Sequence, residues 1–457
     1  MSTFREEDIL KNHEENTDKR KLTADETYSG KESDIFYDLQ LHNQDFKNDE
    51  EMHTWKSKKK HFFILSRAGK PIYSRYGDEM IISEYMGIIQ AIISFFHTKG
   101  DNLRSFTTKN LTVVVLLEGP LYLVGISRLC ESEAQIRAQL NILYAQIVSM
   151  LTLDKLLNIF TYKENFDLKR FLGSTEIFLD ALSDMIINGE PSVLLNSLQC
   201  LKLKKSVRDK ISSILIKAKE KKLLYGVIVS NLCLISIIRP KNYPIHSLEE
   251  LFLLFSMIFN TTAFKDGTEH WIPLCFPKFD PKGFVYCYIT FISESTALIL
   301  ISTDKNSFFE MRRMKQNIVN DFNIHGILDI IKFASEISYT TLDTNTPCLY
   351  HFIYKSKIDA QFTMPQWRTS KSVFEKQEIM RIYRELHSLT QKKSCNKLQF
   401  ISTKNYVAIS WITPTFEFFT VANPEITKQN LIKNTNAILK WIKKEEYRLF
   451  MKSGITF

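Results

Sequence analysis

One order of elements occurs three times in the chain, and this limits its fold more than any other feature. Residues 61–66 (HFFILS) and 70–76 (KPIYSRY) are short strand-like runs joined at Arg67, Ala68 and Gly69, a hairpin signal. Asp78 is placed to cap a following helix in which Ile81, Tyr85, Ile88, Ile92 and Phe95 recur at steps of three and four, predicting one apolar face. Three further strand-like runs follow, LRSFTT, LTVVVLLEG and LYLVGISRL, and a helix predicted from Ser132 to Met150 closes the unit. The same order returns from residue 222: a hairpin, a helix with Leu248, Leu251, Phe255 and Ile258 on one face, three strands, and helical sequence from Phe308. It returns again from residue 349, ending in a helix that carries Leu431, Ile438, Ile442 and Leu449. Three related units outweigh any single local assignment.

The predicted fold class is therefore α/β of the α+β type. The predicted organisation is a tail over 1–56, a first unit over 57–154, a helical basic connector over 155–221, a second unit over 222–343 and a third over 344–457. The tail has no sustained apolar periodicity and is expected to be disordered. It holds 15 acidic and 8 basic side chains, whereas the remaining residues hold 36 acidic and 52 basic, so an acidic head precedes a basic body. Such a head is expected to be drawn onto the basic surface and to compete weakly with anionic partners.

No catalytic constellation emerges. The 14 glycines form neither G-x-G-x-x-G nor a Walker loop. There is no H-E-x-x-H and no G-x-S-x-G, and the histidines at 61, 97, 246, 270, 325, 351 and 387 are scattered singly. No metal site and no cofactor are expected. The seven cysteines form no C-x-x-C pair and read as reduced core thiols of a cytosolic protein. The N-terminus is too acidic for a secretion signal, and the longest apolar runs are too short for a spanning helix, so any membrane contact is expected to be peripheral.

Two segments stand out as surfaces. LKLKKSVRDKISSILIKAKEKK, residues 201–222, carries nine Lys or Arg. Lys202, Lys204, Lys205, Arg208, Lys217 and Lys219 are the candidate lipid contacts, at about 1 kcal/mol per basic residue near an anionic membrane. The bland reading is a connector helix packed through Val207, Ile211, Ile214 and Leu215. Nucleic-acid binding is not expected, because no recognised binding signature accompanies the charge. In the second unit, Trp271, Ile272 and Pro273 read as part of an edge strand, since Pro273 has no N–H to give to a ladder.

Longer blocks are specific enough to compare with a family. KHFFILSRAGKPIYSRYGDE from Lys60, EGPLYLVGISRLCESEAQIRAQL from Glu118, FDLKRFLGSTEIFLDAL from Phe166, WIPLCFPKFDPKGFVYCYI from Trp271 and WIKKEEYRLF from Trp441 resemble the vacuolar fusion protein Mon family (Mon-one). The resemblance implies three longin domains, each a five-stranded antiparallel sheet flanked by helices. It also implies that the chain pairs through its first longin domain with a second tri-longin subunit, Ccz. The heterodimer would be the guanine nucleotide exchange factor for the late-endosomal and vacuolar Rab GTPase (Rab-seven class), acting in endosome maturation, vacuole fusion and autophagy without covalent catalysis. An early-endosomal Rab (Rab-five class) would recruit it to anionic, phosphoinositide-containing membranes of the late endosome and vacuole. On this reading Tyr73, Ser74, Arg75, Tyr76 and Asp78 form the exchange surface, and Trp271, Ile272 and Pro273 receive the upstream Rab. A non-catalytic longin adaptor or tether is the alternative.

Overall fold

The computed structural model describes residues 55–77, 79–109, 111–129, 131–241, 248–265, 267–367, 373–391, 398–452 and 455–457. Most of the acidic head and Asp78 lie outside the described residues. The first unit is β1 (Lys60–Ser66), β2 (Pro71–Ser74), α1 (Glu79–Thr98), β3 (Ser105–Thr107), β4 (Thr112–Glu118), β5 (Leu121–Ser127) and α2 (Glu133–Leu151). Its sheet has the antiparallel order β2-β1-β5-β4-β3. Every residue of β1 and β5 is buried, because helices cover both faces of the sheet.

After α3 (Leu153–Tyr162), α4 (Leu168–Leu172), α5 (Glu176–Asn188), α6 (Pro191–Leu195), β6 (Leu198–Gln199) and α7 (Lys205–Lys217), the second unit repeats the plan. It contains β7 (Leu223–Ser230), β8 (Cys233–Arg239), α8 (Leu248–Asn260), β9 (His270–Leu274), β10 (Val285–Phe291), β11 (Thr296–Ser302), α9 (Phe308–Ile324) and α10 (Ile327–Glu336). The third contains β12 (Leu349–Ser356), β13 (Gln361–Thr363), α11 (Val373–Thr390), β14 (Leu398–Ser402), β15 (Val407–Ile412), β16 (Phe416–Ala422), α12 (Lys428–Lys444) and α13 (Glu446–Leu449), with β17 (Ile455–Thr456) at the end. The sheet orders β8-β7-β11-β10-β9 and β13-β12-β16-β15-β14 match the first unit strand for strand.

The second and third sheets differ from the five-stranded expectation by one short strand each. β17 adds in parallel beside β8, and β6 adds in parallel beside β13. Both additions cross between units: β17 follows the third unit but joins the second sheet, while Cys200, next to β6, bridges to Leu234 of β8. The segment expected to be a connector is thus built into the body. Leu179, Leu182 and Ile186 of α5 are buried in one core shared by the first and second units. Ile211, Ile214 and Leu215 of α7 are buried against the second sheet.

Local chemistry explains the central helices. Ser132 caps α2 in a reciprocal box with Gln135, and Ile136, Leu140, Leu143 and Ile147 face the sheet with no exposure. The approach is close enough that a Cβ on Gly125 of β5 would come within 2.7 Å of Ile136, so a glycine is needed there. α8 is apolar on every side from Leu251 to Phe255, and all five residues are buried because it lies between units. A buried ion pair ties β1 to the loop before α2. Lys60 Nζ donates to Glu131 at 2.8 and 2.6 Å and to Gln139 Oε1 at 2.5 Å, while Ser127 Oγ donates to Glu131 at 2.7 Å. From the same helix Gln135 Nε2 donates to the Arg384 carbonyl at 3.1 Å and to His387 Nδ1 at 2.9 Å, joining the first unit to the third.

Of the scattered histidines, His61, His351 and His387 are buried, whereas His97 and His325 are exposed. His246 lies outside the described residues. Cys200, Cys275 and Cys287 are buried thiols, but Cys348 is exposed, a departure from the expectation of core cysteines. Burial, helped by nearby Arg128, holds His61 down to about 4. Burial likewise holds His387 down to about 4, against the opposing pull of Glu417. Above about pH 6.5 each imidazole is neutral whether the chain is folded or unfolded, so its contribution to stability is complete. Between about pH 6.5 and 4 the unfolded chain takes up protons that the folded chain refuses. Stability should fall across that window by about 3 kcal/mol per histidine. Urea midpoints measured from pH 7 to 4 should decline less steeply in His387→Gln than in the wild type, and an equal decline would place the proton uptake elsewhere.

Candidate functional site

The junction between β2 and α1 is built from side chains of the sequence KPIYSRY, and the structure separates them into two groups. Tyr73 is 4% exposed, and its hydroxyl donates to Asp180 Oδ1 at 2.9 Å and meets Ser183 Oγ at 3.1 Å, both on α5. Burial pushes this phenol well above its ordinary range. Arg75 forms a two-pronged pair with Asp184 through Nε and Nη2, each 2.8 Å, with Asp180 at 3.8 Å. The hydrogen bonds to Asp184 hold the guanidinium above its usual value. Tyr73 is therefore a core residue and cannot grip a partner, which corrects the expected exchange surface; Arg75 is half-buried and already engaged. Its partners lie more than 100 residues later in the segment expected to be a connector.

This pairing makes Arg75 a contributor to stability. Arg75→Glu would lose two charge-assisted hydrogen bonds and face two carboxylates, so it should cost about 2 kcal/mol of stability. A lowered urea midpoint, restored in part by Asp184→Lys, would show this, and an unchanged midpoint would contradict it.

Ser74 and Tyr76 form the outer group. Ser74 Oγ and Trp55 Nε1 both donate to the Tyr76 carbonyl, at 2.7 and 3.1 Å. The Tyr76 ring is half-buried beneath two cations, with Arg75 Cζ 4.8 Å and Lys58 Nζ 5.1 Å from its centroid. Trp55 also stacks on Tyr85 at 4.5 Å, which fixes this basic, aromatic rim to the first turns of α1.

The expected apolar face of α1 is not buried as a whole. Tyr85, Met86 and Ile93 are buried, whereas Ile92 is 36% and Phe95 61% exposed, with Ile88 half-buried beside them. The step of three and four that predicted one apolar face runs from the buried side of the helix to the exposed one. Ser83, Gly87, Ala91 and Ser94 are exposed along the same side, and no Asp, Glu, Lys or Arg occurs from Tyr85 to Thr98. The outer face is thus apolar, uncharged and paved with small residues, which lets a partner's backbone come close. The signal was present in the sequence: a helix without a charged face has no side prepared for water.

In the second unit, β9 is the edge of its sheet, as the prolines predict, and pairs with β10 through Pro273 opposite Tyr286. Trp271 and Ile272 are half-buried and Pro273 is exposed. The indole stacks on Tyr286 with centroids 5.8 Å apart, and its Nε1 donates to the Lys305 carbonyl at 3.2 Å. It covers part of its own core while presenting one face outward.

The basic segment is divided as well. Arg208 is 7% exposed, and its Nη2 donates to the carbonyls of Leu201 at 2.6 Å and Arg448 at 3.2 Å, so it corrects the expected set of lipid contacts. Its spacing to Ile211 and Leu215 puts it on the buried face of α7. Lys217 pairs with Asp321 at 3.1 Å, Lys219 lies over the Phe457 ring at 4.0 Å, and Lys202 lies over Tyr339 and Trp441 at 5.1 and 5.2 Å. Lys204 and Lys205 are exposed and line a cleft of about 340 Å³ with Lys444, Tyr447 and Arg448 of the third unit, partners that sequence reading did not connect with them. Among the described residues no three ligating side chains converge on a metal site, and no single helix is long and apolar enough to cross a membrane.

Comparison with known proteins gives three consecutive matches. The first, second and third longin domains of FUZ, MON1 and HPS1 match residues 60–182, 221–320 and 348–446. The vacuolar fusion protein MON1 of Yarrowia lipolytica is 41% identical over 417 residues, 89% of this chain and 76% of that protein. The vacuolar fusion protein MON1 homolog A of Gallus gallus is 35% identical over 412 residues, 89% and 74% of the two chains. Protein SAND of Takifugu rubripes is 35% identical over 408 residues, 88% and 78%.

Proposed function

The chain belongs to the MON1 family of tri-longin proteins, and from that premise we propose that it acts in vacuole fusion and endosomal traffic as one half of a guanine nucleotide exchange factor. Its partner is a second tri-longin chain of the Ccz type, and its substrate is the late-endosomal Rab GTPase of the Rab-seven class. The observation that carries this reading is the outer face of α1. Ile88, Ile92 and Phe95, flanked by small uncharged residues, suit a second helix of the same kind, and the rim around Tyr76 lies at the end of that face. The joined first domains would present this rim to the GTPase switches.

Exchange breaks no covalent bond, so the absence of an acid–base or nucleophilic site in the motifs is compatible with it. The complex needs only to bind the nucleotide-free GTPase more tightly than the loaded one. Reciprocity then weakens nucleotide affinity by the same factor, by holding switch loops away from the magnesium and phosphates. GTP enters afterwards by mass action. Titrating the two-chain complex against nucleotide-free and GDP-loaded GTPase tests this: a strong preference for the empty form supports exchange, while equal affinity favours the adaptor or tether.

Recruitment belongs to the other units on this reading. Trp271 and Pro273 offer an aromatic edge for an early-endosomal Rab of the Rab-five class, and Trp271→Ala should weaken that binding about thirtyfold. Unchanged recruitment to Rab-bearing liposomes would place the site elsewhere. Lys204, Lys205 and Lys444 offer an anionic-lipid contact, checked by salt-dependent sedimentation with phosphoinositide vesicles. Peripheral residence on late endosomes and vacuoles, and a part in autophagy, follow from the same reading.

A further inference from the structure

The helix α10 of the second unit carries apolar residues on two sides. Ile327 and Ile331 are buried in the core beneath it. Ile330, Phe333 and Ile337 are 39%, 64% and 61% exposed. Their steps of three and four set all three on one stripe, beside the buried side rather than within it. The Ile337 N–H donates to the Phe333 carbonyl at 3.0 Å, which carries the helical turn past the end of α10. Ile324 at the end of α9 and Leu342 beyond α10 are exposed as well. Single exposed apolar side chains are ordinary, but a row of them along one helix marks a surface that another molecule covers.

The charges beside the stripe select what covers it. Asp329 and Glu336 are exposed and stand about two turns apart, flanking the stripe on the side away from Ile327 and Ile331. Lys332 is one step further round the helix, and Asp343 is exposed next to Leu342. The nearby cations are engaged elsewhere. On α9, Arg312 and Lys315 pair with Glu269 at 3.1 and 3.2 Å, and Arg313 pairs with Glu220 at 2.8 Å. Lys217 pairs with Asp321, and Lys202 lies over the Tyr339 and Trp441 rings. The rim of the stripe is thus acidic, on a chain whose net charge is +9.

An anionic bilayer is repelled by such a rim. A second copy of α10 laid antiparallel on the stripe would set Asp329 against Glu336, carboxylate on carboxylate. A helix whose own apolar stripe is flanked by Lys or Arg satisfies both features. We propose that α10 is the docking face for a basic amphipathic helix of a partner protein, its apolar side chains on Ile330, Phe333 and Ile337 and its cations on Asp329 and Glu336. The face belongs to the second unit, and its occupation does not depend on nucleotide exchange or on pairing through α1.

The test is fluorescence anisotropy with two labelled helical peptides of about 18 residues, one of Leu and Lys and one of Leu and Glu, built on the same apolar stripe. The full chain carries Ile92→Asp and Phe95→Asp, so that α1 does not take up the peptides. Long-range attraction to a basic chain favours the Glu peptide, and only a local acidic rim favours the Lys peptide. The Lys peptide should nevertheless bind at least about tenfold more tightly. Phe333→Ser with Ile337→Ser should weaken it about tenfold or more. Asp329→Lys with Glu336→Lys should reverse the preference, and it serves as the second variant if the first fails the circular dichroism check of folding. Equal affinity for the two peptides, or undiminished binding in a folded stripe variant, would overturn the proposal. Two further results would overturn it as well. The first is loss of Lys-peptide binding to the wild-type chain once the second tri-longin chain is added, which would assign the stripe to that pairing. The second is loss of binding to phosphatidylserine vesicles in the stripe variant, which would make α10 a membrane face.

Discussion

Replacing Ile92 and Phe95 together with Asp should abolish pairing with the second tri-longin chain while this chain stays folded. Both side chains project outward from α1, at 36% and 61% exposure, and the buried side of that helix rests on Tyr85, Met86 and Ile93. In the free chain two carboxylates there remain in water. In the complex each would be desolvated opposite an apolar surface. Loss of two central apolar anchors costs about 2 kcal/mol or more apiece, before the penalty of burying charge. Affinity should therefore fall at least about a thousandfold. Size-exclusion chromatography and titration calorimetry measure the pairing, and circular dichroism checks the fold. A folded double variant that still pairs at wild-type strength would remove α1 from the interface.

The second large effect concerns folding. Lys60→Met should destabilise the chain by about 3 to 5 kcal/mol, because it leaves Glu131 charged and buried without its cation. The two side chains are 0% and 1% exposed. Burial pulls the Lys60 ammonium below its ordinary value even with Glu131 beside it, whereas for Glu131 the cost of burial is outweighed by Lys60, Gln139 and Ser127, which hold that carboxyl below its own ordinary value. The double variant Lys60→Met with Glu131→Leu should recover most of the loss, since two apolar groups leave no orphaned charge. Urea midpoints of the two single variants and the double variant decide this, and a harmless Lys60→Met would refute it.

The sequence was a good guide wherever local periodicity and burial agree. The hairpins at 60–74, 223–239 and 349–363, the capped helix after Ser132 and the edge position of β9 all stand where alternation, capping and proline placement put them. It failed where a residue's partner is distant in the chain. Nothing near Tyr73 or Arg75 announces Asp180 and Asp184, so a packed contact looked like a binding surface. Arg208 looked like one more surface cation, although its spacing to Ile211 and Leu215 already placed it inside. Phe95 shares the apolar stripe with buried Tyr85 yet is exposed, because a stripe does not say which of two apolar sides meets the sheet. The strands β6 and β17 are only two residues each, too short to carry a period.

The proposed emptying of the late-endosomal GTPase by two tri-longin chains together is read from the rate at which that GTPase, loaded with a fluorescent nucleotide, releases it in the presence of excess GTP. Fast release is expected with the assembled pair, release near the intrinsic rate with either chain alone, and loss of acceleration in the pair when Ile92 and Phe95 are both Asp. Stable binding of the GTPase by the wild-type pair with no acceleration of release would contradict it.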